Sequence, residues 1–259
     1  MLHRATKASS SIDNFLLLAL PREEFKFIQP HLEPVSFPPG HVYAGYSDSL
    51  THCYFPNNGM ISLLTVTGDG HACEVGYIGR EGMVGISIIL GRNELPYQAL
   101  VQAKTDGLRA PTEVVAKLFK RNGIFHDVSL RFMSLLFAQF AQTSACNRFH
   151  SIESRLCRWF AVMCERSGDR HLVLTQEFLA YMLGVQRTSI ATSAHSMQKK
   201  KLIRYSRGKI EVIDLEKLKA SACECLPVIN GQYARFLREE KNLHMSATRQ
   251  TPGKIKGKI

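Results

Sequence analysis

The stretch LGVQRTSIATSAHSMQKKKLIRYSRG, residues 183–208, contains a glycine turn, an amphipathic helical pattern and a basic tip, in that order. On a helical wheel Ile190, Ala194 and Met197 fall on one side, which predicts the buried face. The opposite side carries small or polar residues, namely Thr188, Ala191, Thr192, His195 and Lys199. Such a face fits the major groove of duplex DNA, because nothing bulky holds the helix away from the base edges.

The segment just before this helix predicts a second helix. Thr175 is a candidate N-cap, and Gly184 ends the helix where a left-handed residue costs least. Two apolar pairs at i,i+4 spacing predict its inner face: Phe178 with Met182, and Leu179 with Leu183. Because only Val185 and Gln186 separate the two helices, they must cross steeply, as in a helix-turn-helix.

Candidate DNA contacts follow from this arrangement. Arg187, at the leading end of the second helix, can donate two hydrogen bonds to guanine. The contacts expected at the DNA backbone come from Gln186, Ser189, His195, Lys199, Arg207 and Lys209. The last two lie at the tip of a predicted hairpin, a wing beside the groove. A solvated charged helix followed by a surface hairpin would explain each feature singly, but not their order.

The distribution of charge supports a polyanionic partner. The 259 residues carry a formal net charge of +11. Residues 1–146 have 12 basic against 12 acidic residues, residues 147–225 have 14 against 8, and residues 226–259 have 7 against 2. The excess therefore lies entirely in the C-terminal part, which is typical of a nucleic-acid-binding module joined to a neutral domain.

The chain shows no export signal, because the apolar run from Phe15 to Leu20 is short and Pro21 follows it. No stretch approaches the roughly 20 apolar residues of a membrane span. The seven cysteines are an odd number and are scattered along the chain. We therefore expect reduced thiols, a cytoplasmic location and no membrane partner.

The N-terminal part has the texture of an antiparallel sandwich or barrel. After a helical lead-in over residues 11–32, short β-type runs cover 51–55, 60–66, 72–78 and 98–103, with glycine and proline turns between them. From Thr112 helix takes over.

A long helix is predicted from Asp127 to Arg148. One side of it carries Leu130, Met133, Phe137, Phe140, Ala141 and Ser144. This stripe can pack on the chain's own sheet or on its copy in a second subunit, and we favour a homodimer. A further helix over residues 151–166 has the pattern of a core helix.

Taken together, "FHSIESRLCRWFAVMCERSGD", "LTQEFLAYMLGVQRTSI" and "KLIRYSRGKIEVID" resemble the Crp/Fnr superfamily of transcription regulators over about residues 15–225. The resemblance implies an α+β fold with four parts. These are an antiparallel β-roll of the cyclic-nucleotide-binding type (1–126), a dimerisation helix (127–148), a winged helix-turn-helix (149–225) and a basic tail (226–259). It places Arg187, Thr188 and Thr192 at the base-reading positions, although a glutamate is common where Thr188 stands. Double-stranded DNA and RNA polymerase are the implied partners.

The implied effector site lies in the β-roll, and its candidate residues are Gly79, Glu81, Gly82, Tyr97 and Gln98. Tyr97 and Gln98 stand where relatives that bind cyclic AMP carry an Arg-Ser pair, so no cation would meet the cyclic phosphate. We expect weak or no binding of cyclic AMP. Residues 79–85 can equally be a plain turn, and the signal remains unknown.

The cysteines suggest little chemistry by their spacing. The first is Cys53, so the N-terminal cysteine group of the iron–sulfur-binding relatives is missing and no such cluster is expected. Cys223 and Cys225 form a CxC pair without a histidine close in sequence. We therefore predict no metal site, and a redox or metal role for this pair is the alternative.

No catalytic motif is present, so an enzyme is not expected. The rival function is a redox or small-molecule sensor that acts through protein contact. The tail, which ends SATRQTPGKIKGKI, is predicted to be disordered.

Overall fold

The computed structural model describes the backbone of residues 11–249 and the side chains of residues 11–239. The helical lead-in is confirmed as α1 (Phe15–Leu18), α2 (Arg22–Ile28) and a 3-10 turn (Gln29–His31). Seven strands follow: β1 (Glu33–Phe37), β2 (Val42–Ala44), β3 (His52–Pro56), β4 (Met60–Val66), β5 (Ala72–Ile78), β6 (Gln98–Ala103) and β7 (Thr105–Pro111).

These strands form two antiparallel sheets, in the orders β1-β7-β3 and β2-β6-β4-β5. The predicted antiparallel β architecture is therefore confirmed. Between the sheets lies an apolar core that includes Tyr54, Phe55, Ile61 and Leu63, each fully buried. A 3-10 turn (Ile86–Leu90) lies between β5 and β6.

Two helices follow the strands, α3 (Thr112–Phe119) and α4 (Ile124–Phe149). The long helix begins three residues before the predicted Asp127. Its N-cap, Gly123, has no side chain to bind the free amides, and Glu24 of α2 supplies the carboxylate instead. The Glu24 oxygens accept hydrogen bonds from the backbone amides of Ile124 and Phe125, both at 2.8 Å. Because this capping carboxylate lies 100 residues away in the sequence, no local sequence pattern predicts the start of the helix.

The predicted apolar stripe of α4 divides between two environments. Met133 and Phe140 are partly buried against the β-roll core. Leu130 and Phe137 are 42% and 62% exposed. Exposed positions of α4 recur alternately four and three residues apart. They are Leu130, Ser134, Phe137, Ala141 and Ser144. That alternation is the heptad spacing of a coiled-coil seam.

The C-terminal domain begins with α5 (Ile152–Ser167) and continues with β8 (His171–Val173), α6 (Gln176–Leu183), α7 (Arg187–Lys199), β9 (Ile203–Ser206), β10 (Lys209–Val212) and α8 (Leu215–Ala220). Ser151 caps α5 as a good N-cap should, because its hydroxyl accepts a hydrogen bond from the amide of Ser154 at 3.2 Å. A second core gathers around Trp159 and Phe160, both almost completely buried. The core pattern predicted for the helix over residues 151–166 is thus confirmed.

The prediction of a disordered tail over 226–259 is wrong for residues 226–249, which belong to helix α9 (Cys225–Arg249). Leu226, Ile229 and Phe236 of α9 are buried, and Tyr233 and Leu237 pack against the β-roll core. Their spacings of three, four, three and one give a helical stripe, and α9 lies along α4. Disorder is predicted from the composition of the last 14 residues, whereas this apolar stripe lies before them in the sequence. Residues 250–259 lie outside the described part. No helix of the described chain is both long and apolar enough to cross a membrane.

Candidate DNA interface

Helices α6 and α7 form the predicted helix-turn-helix. The Thr175 hydroxyl accepts a hydrogen bond from the amide of Phe178 at 3.1 Å, which confirms the predicted N-cap. Gly184 ends α6 with a φ of 64°, in the left-handed region where glycine is favoured. Ile190, Ala194 and Met197 of α7 are buried, as the wheel predicts.

The outer face of α7 is short and polar. The exposed members of the predicted contact set are Gln186, Arg187, Thr188, Thr192, His195 and Lys199, and Ser189 is half-buried. No aspartate or glutamate occurs between Arg187 and Lys199, so this face carries no charge that would repel DNA phosphates.

Two contacts define how this face is held. The Arg187 guanidinium Nε lies 3.0 Å from a Glu177 carboxylate oxygen, with both side chains about two-thirds exposed, at 65% and 66%. An exposed pair of this kind contributes only about 0–1 kcal/mol, so Arg187 is readily released to another acceptor. The Thr192 hydroxyl donates a hydrogen bond to the backbone carbonyl of Thr188 at 3.0 Å.

The wing is confirmed as the hairpin β9–β10, with β8 completing the sheet order β8-β10-β9. Its turn residues Arg207 and Gly208 have positive φ, 47° and 76°, as a tight two-residue hairpin turn requires. Arg207 and Lys209 are exposed at this tip. The Tyr205 hydroxyl donates to the carbonyl of Leu174 at 2.9 Å, and burial raises the pKa of this phenol.

A groove of about 510 Å³ separates α7 from the wing. Its lining includes Thr175, Glu177, Arg187, His195, Tyr205 and Arg207. The structure therefore brings Arg187 and His195 of α7 together with Arg207 of the wing along one groove. Thr188, Ser189 and Thr192 line a second groove on the other side of α7, towards the start of α5.

Polar contacts join the β-roll to this domain. Glu81 is 2% exposed, and its carboxylate accepts a hydrogen bond from Arg166 of α5 at 2.6 Å. Glu74 accepts a hydrogen bond from the Trp159 indole at 3.0 Å, and burial raises the pKa of this carboxyl. Because these groups are buried, the position of α5 is tied to that of the β-roll.

The five candidate effector residues have partners within the protein or are closely packed. Glu81 uses its second oxygen to accept from the amide of Gly79 at 2.9 Å. A Cβ on Gly82 would lie 1.9 Å from the ring of Phe132. The ring of Tyr97 packs edge-on to Phe140, and burial raises its pKa. Gln98 accepts from the Tyr181 hydroxyl at 3.4 Å. An effector role for these residues stays a prediction.

Two further side chains lie beside the CxC pair in the folded chain. The pair has no histidine close in sequence, but in the folded chain His150 Nδ1 lies 3.4 Å from Cys225 Sγ. Cys146 lies beside Cys223, with 3.5 Å between the sulfur atoms. The two pairs, Cys146 with His150 and Cys223 with Cys225, are more than 70 positions apart along the chain, and helix α9, which begins at Cys225, is not predicted from the sequence.

Comparisons with known proteins agree with this architecture. A family model described as a Crp-like helix-turn-helix domain matches residues 154–221. The global nitrogen regulator of Nostoc sp. (strain PCC 7120) is 25% identical over 174 residues, covering 64% of this chain and 78% of that protein.

Solved structures share the fold. A protein of the Crp/Fnr family from Eubacterium rectale superposes with a TM-score of 0.65 at 19% identity, covering 79% of this chain and 97% of that one. The regulator CLP of Xanthomonas campestris, described as responsive to c-di-GMP, gives a TM-score of 0.59 at 13% identity, covering 75% of this chain and 100% of that one.

The β-roll, long helix and winged helix-turn-helix thus define a DNA-binding transcription regulator. Residues 154–221 match a Crp-like helix-turn-helix domain, and the resemblance to Crp/Fnr regulators stated from the sequence is confirmed.

Proposed function

We propose that the protein acts as a homodimer that reads a palindromic DNA site with two copies of α7 and responds to a signal received by the β-roll. The observation that carries this proposal is the outer face of α7, which is polar, free of acidic residues and flanked by the basic wing. The excess positive charge of residues 147–225 lies in the same domain.

The dimer would form along α4. Leu130 and Phe137 are large apolar residues left exposed, and Ser134, Ala141 and Ser144 continue the same seam with small side chains. Heptad spacing of this kind favours two helices wound around each other. A two-fold axis along the seam would present the two α7 helices to successive major grooves, about 10 base pairs apart.

Base reading would fall to Arg187, Thr188 and Thr192. Arg187 would leave Glu177 and donate two hydrogen bonds to guanine. Since the Thr192 hydroxyl proton is used by the Thr188 carbonyl, its oxygen would accept from a base amino group. Gln186, Ser189, His195, Lys199, Arg207 and Lys209 would contact phosphates and fix the register.

The signal would be transmitted through the contacts between the β-roll and α5. The Glu81–Arg166 pair links the turn at residues 79–82 to the helix that leads into the helix-turn-helix. An effector that drew Glu81 or its neighbours away would change the position of α5, and with it the spacing of the two reading helices. Cyclic AMP does not suit this turn, since Tyr97 and Gln98 offer its phosphate no cation.

The remaining features follow from the same assignment. We expect the protein to work in the cytoplasm, to contact RNA polymerase at its target promoters, and to have no enzymatic activity.

A sensor that acts mainly through protein contact is the second candidate function. It is favoured by the exposed rings of Phe137 and Phe149, the latter 75% exposed.

A comparison of two variants tests DNA reading. Arg187→Ala removes a base contact, so binding to the preferred site should weaken by about 1–3 kcal/mol per half-site while binding to random duplex changes little. Lys209→Ala removes a phosphate contact from the exposed wing. It should weaken binding to both duplexes about equally and reduce the dependence on salt concentration.

Fluorescence anisotropy over a series of salt concentrations measures both effects. If Arg187→Ala weakened the specific and random duplexes equally, a base-reading role for this arginine would be refuted. An unchanged salt slope for Lys209→Ala would exclude the wing from the phosphate contacts. Wild-type protein without preference for any duplex would favour the protein-contact function.

A further inference from the structure

A cluster of metal-binding side chains lies where the long helix meets the DNA-binding domain. Cys146 lies in the last turn of α4, and His150 immediately follows that helix. Cys223 and Cys225 lie at the junction of α8 and α9. One ligand atom from each of the four residues falls within 4.8 Å of all the others. The three cysteines are buried and the histidine is half-buried.

The spacing of these atoms fits one tetrahedral ion. Zinc binds sulfur at about 2.3 Å, so two ligand atoms of a tetrahedral site lie about 3.8 Å apart. The Cys146 and Cys223 sulfurs are 3.5 Å apart, and Cys225 Sγ is 3.4 Å from His150 Nδ1. Three thiolates and an imidazole without an acidic ligand favour zinc over magnesium or calcium.

The surroundings also have the groups that support metal ligands. His150 Nε2 lies 2.9 Å from a Glu224 carboxylate oxygen, which leaves Nδ1 directed at the cluster. A carboxylate behind a histidine fixes its tautomer and orientation in metal sites. The Gln142 side-chain amide donates to Cys225 Sγ at 3.1 Å.

Two buried arginines, Arg155 and Arg158, lie near the cluster, and the carboxyl of Glu74 interacts electrostatically with Arg158. Arg155 and Arg158 are 5% and 4% exposed, and no carboxylate of the described residues lies within ion-pair distance of either guanidinium. The Nε atoms of both arginines have no hydrogen-bond partner among the described residues. Both guanidinium groups interact electrostatically with Cys146 and Cys223. Because three thiolates around Zn²⁺ carry a net charge of −1, the loaded site would offset part of this buried positive charge.

We propose that Cys146, His150, Cys223 and Cys225 bind one Zn²⁺ ion in a closed structural site. The ion would join the end of α4 to the start of α9. One of its ligands, His150, directly precedes Ser151, the N-cap of α5. Metal binding releases the protons of the thiols and stabilises the folded arrangement. The ion would therefore fix the angle at which the DNA-binding domain leaves the long helix.

Metal analysis of the full-length protein tests this proposal. Protein purified under reducing conditions with zinc present should contain about one zinc per chain by mass spectrometry of the metals. After exchange for cobalt, it should show the strong visible absorption of tetrahedral Co²⁺ and a charge-transfer band from sulfur. Cys225→Ser and His150→Ala should each lower the affinity for zinc at least tenfold in a competition with a chromophoric chelator.

The matched control is Cys73→Ser, which changes a half-buried cysteine outside the cluster and should leave zinc content and the cobalt spectrum unchanged. Circular dichroism of each variant shows whether it is folded, and the wild-type cobalt spectrum tests the site without any variant. Zinc-free wild-type protein with no cobalt spectrum would overturn the proposal. So would iron and sulfide in the purified protein, or a Cys146–Cys223 disulfide with no bound metal.

An effect on DNA rests on the function proposed above. Removal of zinc should then weaken specific DNA binding in wild-type protein, and zinc should restore it. A chain that binds zinc but prefers no duplex would overturn the DNA-reading account alone. A chain that reads DNA equally well without any metal would overturn only this site's influence on the domain angle.

Discussion

The Glu81–Arg166 pair allows a quantitative test of the link between the β-roll and the DNA-binding domain. The side chain of Glu81 is 2% exposed and that of Arg166 is 15% exposed. In Glu81→Gln the amide oxygen can still accept from the Gly79 amide, but the guanidinium loses its carboxylate. Removal of one partner from a buried ion pair costs about 3–5 kcal/mol.

Two aromatic rings moderate the loss. Arg166 lies over the ring of Tyr233 at 4.1 Å and that of Tyr77 at 5.4 Å, and these contacts persist in the variant. We therefore expect the low end of the range, about 3 kcal/mol. For a chain of this size the melting temperature should fall by roughly 6–12 °C.

Urea denaturation of Glu81→Gln, Arg166→Met and the double variant measures this coupling. Because the double variant leaves no unpaired charge, it should be less destabilised than the sum of the single changes. Glu23→Gln is the control, since the Glu23–Lys26 pair is exposed and should contribute less than about 1 kcal/mol. A Glu81→Gln variant within about 0.5 kcal/mol of wild type and additive with Arg166→Met would contradict this reasoning.

Three further changes probe the rest of the architecture. Phe137→Asp places a charge on the proposed seam, so sedimentation velocity should show monomers; a persistent dimer would exclude this face. Gly82→Ala drives a methyl group into the ring beneath it and should cost at least about 1–3 kcal/mol in urea denaturation, whereas Gly68→Ala has open space and should be neutral. Phe236→Ala should cost about 3–5 kcal/mol if α9 belongs to the core, and Val228→Ala, on an exposed position, far less; equal costs would argue against the observed packing of α9.

Features specified by local pattern could be predicted from the sequence. The helix-turn-helix could be, because Thr175, Gly184 and the apolar face of α7 act within a few residues of one another. The wing followed from alternating apolar residues around a glycine turn. The outer face of α7 could be listed residue by residue for the same reason, since a helix fixes which side chains share a face.

Features that depend on distant contacts could not be predicted. The extra turn of α4 depends on Glu24, which is far away in the chain, and the Glu81–Arg166 pair joins two domains. The cysteine–histidine cluster needs α4 and α9 side by side, and CxC spacing alone carries no information about that. The apolar stripe of α9, by contrast, is a local pattern that could be predicted from the sequence. The basic residues after it are typical of a disordered tail, which is why the helix is not predicted.

The central claim is that two copies of α7 read DNA about a two-fold axis. Selection of bound sequences from a random pool of duplexes tests it most directly, with the wild-type full-length chain. We predict enrichment of an inverted repeat with half-sites about 10 base pairs apart and a guanine in each for Arg187. Enrichment of no sequence, or of a single half-site without its inverted copy, would contradict the claim.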